Sequence, residues 1–132
     1  MRAYLGLLVA GGVAMGSQSI VAEEIRIGFA NPLSGPYAVS GHRNEIAVDM
    51  ATIDINENGG LLDRKVRLVA IDDACGLEQA VAAARELIKA EVDVVIGHMC
   101  SHASLLAAGL YETADTLMIT PDSTPPRVTE EG

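Results

Sequence analysis

Basic residues are scarce in this sequence: 9 Lys and Arg stand against 18 Asp and Glu in 132 residues, for a formal net charge of −9. Such a surface repels phosphate backbones and excludes nucleic acid as a partner. Long apolar runs are missing too. The run from Ala3 to Met15 is broken by Gly11 and Gly12 and is too short for a membrane span. From Glu23 onward there is no G-x-G-x-x-G or P-loop pattern, so a nucleotide lacks its usual phosphate cradle, and no cofactor is expected. Cysteine is confined to Cys75 and Cys100, and neither lies near the N-terminus, so nothing marks a lipid attachment point.

What is present begins with a leader. Arg2 carries the one charge before Glu23; an uncharged run and a polar stretch ending Ile20-Val21-Ala22 follow it. This is the pattern of a secretory signal peptide over residues 1–22, with the mature chain, 23–132, starting near Glu23. The mature chain keeps 8 of the 9 basic residues and all 18 acidic ones, so it is more acidic still. Export places Cys75 and Cys100 in an oxidising compartment, where one disulfide is the simplest reading and two buried thiols the alternative.

The mature chain alternates. Ile25 to Ala30 predicts a first strand, stopped by Asn31-Pro32-Leu33-Ser34-Gly35-Pro36. Ile46, Met50 and Ile53 recur at helical spacing between Gly41 and Glu57, with Ala47 and Ala51 allowing close approach to a sheet, and Asn58-Gly59-Gly60 ends that helix. Val66 to Ile71 is a second strand. Leu77, Val81, Ala84, Leu87 and Ile88 mark a second helix with Glu78, Arg85, Glu86 and Lys89 facing water. Val92 to Ile96 is apolar at four of five positions, as a parallel strand buried on both faces reads. A small-residue helix from Ser101 to Ala114 and a short strand, Leu117 to Thr120, complete the series before a polar tail with no further helix. Strand–helix alternation of this kind predicts the α/β class, a doubly wound parallel sheet with right-handed crossovers. The last crossover is missing, so the architecture reads as cut off.

Ligands of open α/β sheets bind beyond the carboxyl ends of the strands, where strand order reverses. Four loops qualify: Leu33–Pro36, Asp72–Cys75, Gly97–Ser101 and Pro121–Pro126. Ser34, Ser101, Ser123 and Thr124 supply hydroxyls there, and a helix starting at Ser101 favours an anionic group such as a carboxylate. The alternative for Ser101 is a plain N-cap. His98, Cys100 and His102 lie close in sequence, but alternate side chains diverge and a disulfide-bound cysteine neither ligates nor attacks. Asp72 and Asp73 offer too few ligands for a hard cation and read as solvated loop carboxylates. No metal site is expected.

Leu33-Ser34-Gly35-Pro36, Asp54-Ile55-Asn56 before Gly59-Gly60, Asp72-Asp73-Ala74-Cys75, Val95 to Ser101 and Met118-Ile119-Thr120-Pro121 together resemble one family. It is the periplasmic substrate-binding proteins of branched-chain amino acid ABC transporters, of the leucine-isoleucine-valine-binding type, and the resemblance runs from Ile25 onward. It implies a part of the first lobe of a type I periplasmic binding protein, located in the periplasm, binding leucine, isoleucine, valine or an analogue without catalysis, and serving an ABC permease. It implies a Cys75–Cys100 disulfide, a carboxylate contact at Ser101, and contacts to carboxylate and ammonium from Asp122, Ser123 and Thr124. Asp122 stands where relatives often carry a small apolar residue, and Ser40 where close relatives carry an aromatic one. With only part of one lobe, weak binding or none is the expectation. An amide- or amino-acid-sensing domain of the same superfamily is the second reading; a small exported hydrolase using Ser101 with His98 or His102 is the third.

Overall fold

The computed structural model describes residues 23–130, so the leader expected over 1–22 lies outside the described residues. Four strands, β1 (Ile25–Asn31), β2 (Val66–Asp72), β3 (Val94–Gly97) and β4 (Leu117–Ile119), alternate with helices α1 (Ala38–Glu57), α2 (Leu77–Lys89) and α3 (Ser101–Thr113). The sheet order is β2-β1-β3-β4 and every neighbouring pair is parallel, with Ile25 opposite Val66, Ile27 opposite Val94 and Val94 opposite Leu117. The chain steps one way from β1 to β2 and the other way afterwards. Right-handed crossovers therefore place α1 on one face and the packed pair α2 and α3 on the other. The expected doubly wound sheet is what forms, and strand order reverses between β1 and β3.

The core lies between the sheet and the α2–α3 layer. Ala30, Ala83, Ala84, Leu87, Val92, Val95, Ala107 and Tyr111 make one buried cluster. Helix α2 turns Ala80, Ala83, Ala84 and Leu87 inward at i, i+3, i+4 and i+7. Small side chains let this helix lie close: a Cβ on Gly28 of β1 would come within 3.1 Å of Leu87 and Val92.

Two expectations fail here. Ile46, Met50 and Ile53 of α1 are exposed, as are Ala47 and Ala51. The side of α1 that meets the sheet carries Gly41, Asn44, Val48, Thr52 and Ile55 instead. Polar anchors fix that rotation. The Asn56 amide donates to the Val66 carbonyl at 2.7 Å and accepts from the Val66 N–H at 2.8 Å, and Asn44 donates to Asn31 at 3.0 Å. A Cβ on Gly41 would sit 1.9 Å from the Pro32 carbonyl oxygen, so the helix can lie this close to the β1–α1 loop only with glycine there. The second failure is at the C-terminal end, where one turn of helix, α4 (Arg127–Glu130), follows β4. Pro125 and Pro126 supply carbonyls to its first N–H groups, and Val128 is buried where α4 packs on α3.

Candidate functional site

The loops after β1, β2, β3 and β4 gather at one end of the sheet, at the reversal of strand order. Gly97 opens the critical turn with φ +144°, and a Cβ there would come within 2.1 Å of the Ala30 carbonyl oxygen, so the chain can leave β3 along this path only with glycine. Four residues on, at Ser101, α3 begins. Its N-cap is Cys100, with no side-chain cap hydrogen bond, and Ser101 is the first helical residue, so the plain N-cap role for Ser101 is excluded. The Cys100 carbonyl takes the N–H groups of Ala103 and Ser104. The N–H groups of Ser101 and His102, and the half-buried Ser101 hydroxyl, have no partner among the described residues. A helix start left open in this way suits a carboxylate.

Cys75 and Cys100 are joined in a disulfide, with Cα atoms 5.6 Å apart, as the compartment and the resemblance both implied. The same two loops are tied twice more. His102 Nε2 donates to the Cys75 carbonyl at 2.6 Å, and Asp73 accepts from the Cys75 N–H at 2.9 Å while its other oxygen meets His98 Nδ1 at 2.7 Å. Asp73 and His98 are both fully buried, so Asp73 is no solvated loop carboxylate. His98 Nε2 in turn lies 3.2 Å from the buried Tyr111 hydroxyl. Burial, helped by the Asp73 carboxylate, raises the Tyr111 pKa well above its ordinary value of 10.0.

Asp72 is exposed. One of its oxygens accepts from the N–H groups of Leu33, Ser34 and Ala74 at 2.7, 3.3 and 2.8 Å, which pins the β1–α1 loop to the end of β2. Partial burial pushes its pKa up, but the Ser34 hydroxyl and these N–H groups outweigh that and hold the carboxyl below its ordinary value of 3.8.

The loop after β4 is held from beneath. The His98 carbonyl accepts from Thr120 Oγ1 at 2.7 Å, from Ser104 Oγ at 2.8 Å and from Ser123 Oγ at 3.3 Å, and the Ser104 and Ser123 hydroxyls are 2.6 Å apart. Ser123 thus turns its side chain inward. Asp122 and Thr124 are exposed, and Asn44 Nδ2 reaches Asp122 Oδ2 at 3.4 Å while bonding Asn31. Of the four residues expected at the ligand, the structure brings the first turn of α3 and the 122–124 loop together through Ser104 and Ser123. Sequence reasoning missed Ser104, Thr120 and Tyr111. Ser104, Ala107, Ala108 and Tyr111 follow i, i+3, i+4, i+7 spacing, so a single face of α3 carried the signal for two of them. His98 is bonded at both ring nitrogens and so is not free to serve Ser101 as a base, while His102 is bonded at Nε2 to the Cys75 carbonyl. No cluster of three or more metal-ligating side chains occurs among the described residues.

An open parallel sheet with hydroxyls, an uncapped helix start and an acidic loop at its switch point is the place where open α/β folds take small ligands. The chain belongs to the periplasmic binding protein family, whose model matches residues 24–131. The Leu/Ile/Val-binding protein of Escherichia coli strain K12 is 38% identical over 126 residues, which cover 95% of this chain and 34% of that protein. Among solved structures, the branched-chain amino acid transporter substrate binding protein LivJ of Streptococcus pneumoniae, in complex with isoleucine, superposes with a TM-score of 0.79 at 25% identity, over 83% of this chain and 32% of that one. An ABC transporter substrate-binding protein of Desulfitobacterium hafniense in complex with Leu gives a TM-score of 0.72 at 36% identity over the same shares. The chain therefore spans about a third of the length of the relatives it matches.

Proposed function

We propose that residues 23–132 form the N-terminal part of the first lobe of an exported, periplasmic substrate-binding protein for an ABC importer, taking branched-chain or related amino acids. The observation that carries this reading is the open start of α3 at Ser101, joined through the Ser104–Ser123 contact to the 122–124 loop. Ser101 and the first N–H groups of α3 hold the ligand's carboxylate. Thr124 and the backbone of its loop take the carboxylate and ammonium, and Asp122 adds a counter-charge for the ammonium. Ser123 contributes backbone and support, because its hydroxyl is spent inside. The chain binds without catalysis, and its partner is the importer's permease.

Asp122 favours a zwitterion over a simple acid, since a carboxylate close to a second carboxylate with no ammonium between them is repelled. Titration of the 15N-labelled chain with L-leucine tests this. Amide shifts are expected at Ser101, His102 and Thr124, with weak affinity because these residues cover one side of the ligand. Ser101→Ala should weaken binding about tenfold, the worth of one hydrogen bond to a charged group. The deaminated analogue 4-methylpentanoate should bind less well than leucine. An absence of shifts at these positions with saturating leucine, isoleucine and valine overturns the amino-acid reading.

A further inference from the structure

Asp73, His98 and Tyr111 form a hydrogen-bonded chain with no access to water, and nothing in the proposed binding chemistry uses it. We propose that His98 is a positioning residue that fixes the Ser101 turn against the 122–124 loop, held as the neutral Nδ1–H tautomer between Asp73 and Tyr111. It rests on the amino-acid reading for its ligand and on the fold alone for its geometry.

The tautomer follows from counting protons. An ionised Asp73 only accepts, so His98 Nδ1 must carry a hydrogen. Tyr111 has no other hydrogen-bond partner among the described residues. Were Nε2 protonated as well, it would donate to the phenol oxygen and the phenol proton would be buried without an acceptor. With Nε2 bare, Tyr111 donates to it and every proton in the chain has a partner. Burial and the Asp73 charge, which keep the phenol protonated, act in the same direction.

The positioning role follows from where the two ends of His98 point. Its side chain grips the β2–α2 loop through Asp73 and the third turn of α3 through Tyr111. Its carbonyl grips Thr120, Ser104 and Ser123, and so carries the loop that holds Asp122 and Thr124. One residue thereby joins both ligand-facing segments, three positions before Ser101. A ring that lost its partners would free this carbonyl to rotate, and the spacing between the two segments would widen.

The test has a ligand-free arm and a ligand arm. In the ligand-free chain, long-range 15N–1H correlation of the His98 ring should show protonated Nδ1 and bare Nε2; a protonated Nε2, alone or with Nδ1, overturns the proposal. Tyr111→Phe removes only the hydroxyl and should speed exchange of the hydrogen-bonded Ser104 and Ser123 amides while leaving β1 and β2 amides unchanged. Uniform acceleration, or none, marks a merely structural phenol and overturns it. In the ligand arm, His98→Leu should lose about tenfold in leucine affinity, the worth of one such hydrogen bond, and His98→Asn, whose amide reproduces the Nδ1 donor, should recover most of it. Unchanged affinity in a folded His98→Leu overturns the proposal, and if that variant does not fold, Tyr111→Phe decides. A wild-type chain that ignores leucine refutes the amino-acid reading, and the ligand-free arm still decides this one.

Discussion

Removing the Cys75–Cys100 bridge by replacing both residues with alanine gives the most quantitative test of how the cleft end is held. The bridge spans 25 residues of chain, and in the chain-entropy account closing a loop of that length stabilises by about 3.5 kcal/mol. What remains of the folded state decides whether this is the whole effect. Two side-chain ties persist between the same loops: His102 to the Cys75 carbonyl at 2.6 Å and Asp73 to His98 at 2.7 Å. These ties hold the loops together without sulfur, so the native geometry should survive and the loss should come from the unfolded chain. Urea denaturation followed by far-ultraviolet circular dichroism measures it. The expected result is a loss of about 3 kcal/mol, a melting midpoint lower by roughly 15 °C, and a steeper dependence on urea because the freed chain expands. Amide shifts at His98, Met99 and Ser101 should stay near their oxidised positions. A loss below about 1 kcal/mol would refute the loop-entropy argument, and displaced shifts at Met99 and Ser101 would refute the claim that the side-chain ties suffice.

Gly97→Ala forces a Cβ to within 2.1 Å of the Ala30 carbonyl oxygen at a φ of +144°, and a loss of more than about 3 kcal/mol is expected in the same urea experiment. Leu87→Ala empties the centre of the α2 contact, where the side chain is fully buried, and should cost about 2–5 kcal/mol. The Asp72 carboxyl is held below 3.8, so the stability it lends is fully present above that value and is lost as the pH falls through its lower folded value. The gap between wild type and Asp72→Asn should accordingly close on acidification below about pH 4, read from Leu33 and Ser34 amide shifts. Asp122→Asn should narrow the preference for leucine over 4-methylpentanoate and leave the melting midpoint in place, since Asp122 is exposed and its side chain meets Asn44 alone among the described residues, at 3.4 Å.

The order of elements was legible in part because β1, α1 and β3 end on strong punctuators: Pro32, Asn58-Gly59-Gly60 and Gly97 break what precedes them. Parallel pairing and its handedness then follow from the alternation alone. The rotation of α1 was not legible from its apolar spacing. Ile46, Met50 and Ile53 share a face, and periodicity reports that a face exists without reporting what covers it. Here Asn44 and Asn56, two residues that a hydrophobic pattern ignores, set the rotation by bonding Asn31 and Val66. The exposed apolar stripe on α1 is the consequence, and it also includes Val39 at 67% exposure.

The site was half legible for a related reason. Ser101 could be proposed because a hydroxyl after a glycine turn at a helix start is a local pattern. Asp73 and His98 could not, because their meaning lies in a contact across 25 residues of chain, and each alone reads as an ordinary loop residue. Burial changes that reading. An ionisable pair with no solvent access persists only when its remaining hydrogen-bonding capacity is met, and here the Cys75 N–H and the Tyr111 hydroxyl meet it. The disulfide, the Asp73–His98 pair and the His98 carbonyl therefore act in series: the first two fix the β3–α3 turn against β2, and the third fixes the 122–124 loop against that turn. The residues proposed to face a ligand are the outer ends of a buried polar scaffold, and their positions are set by the Asp73–His98 pair and the disulfide beneath them.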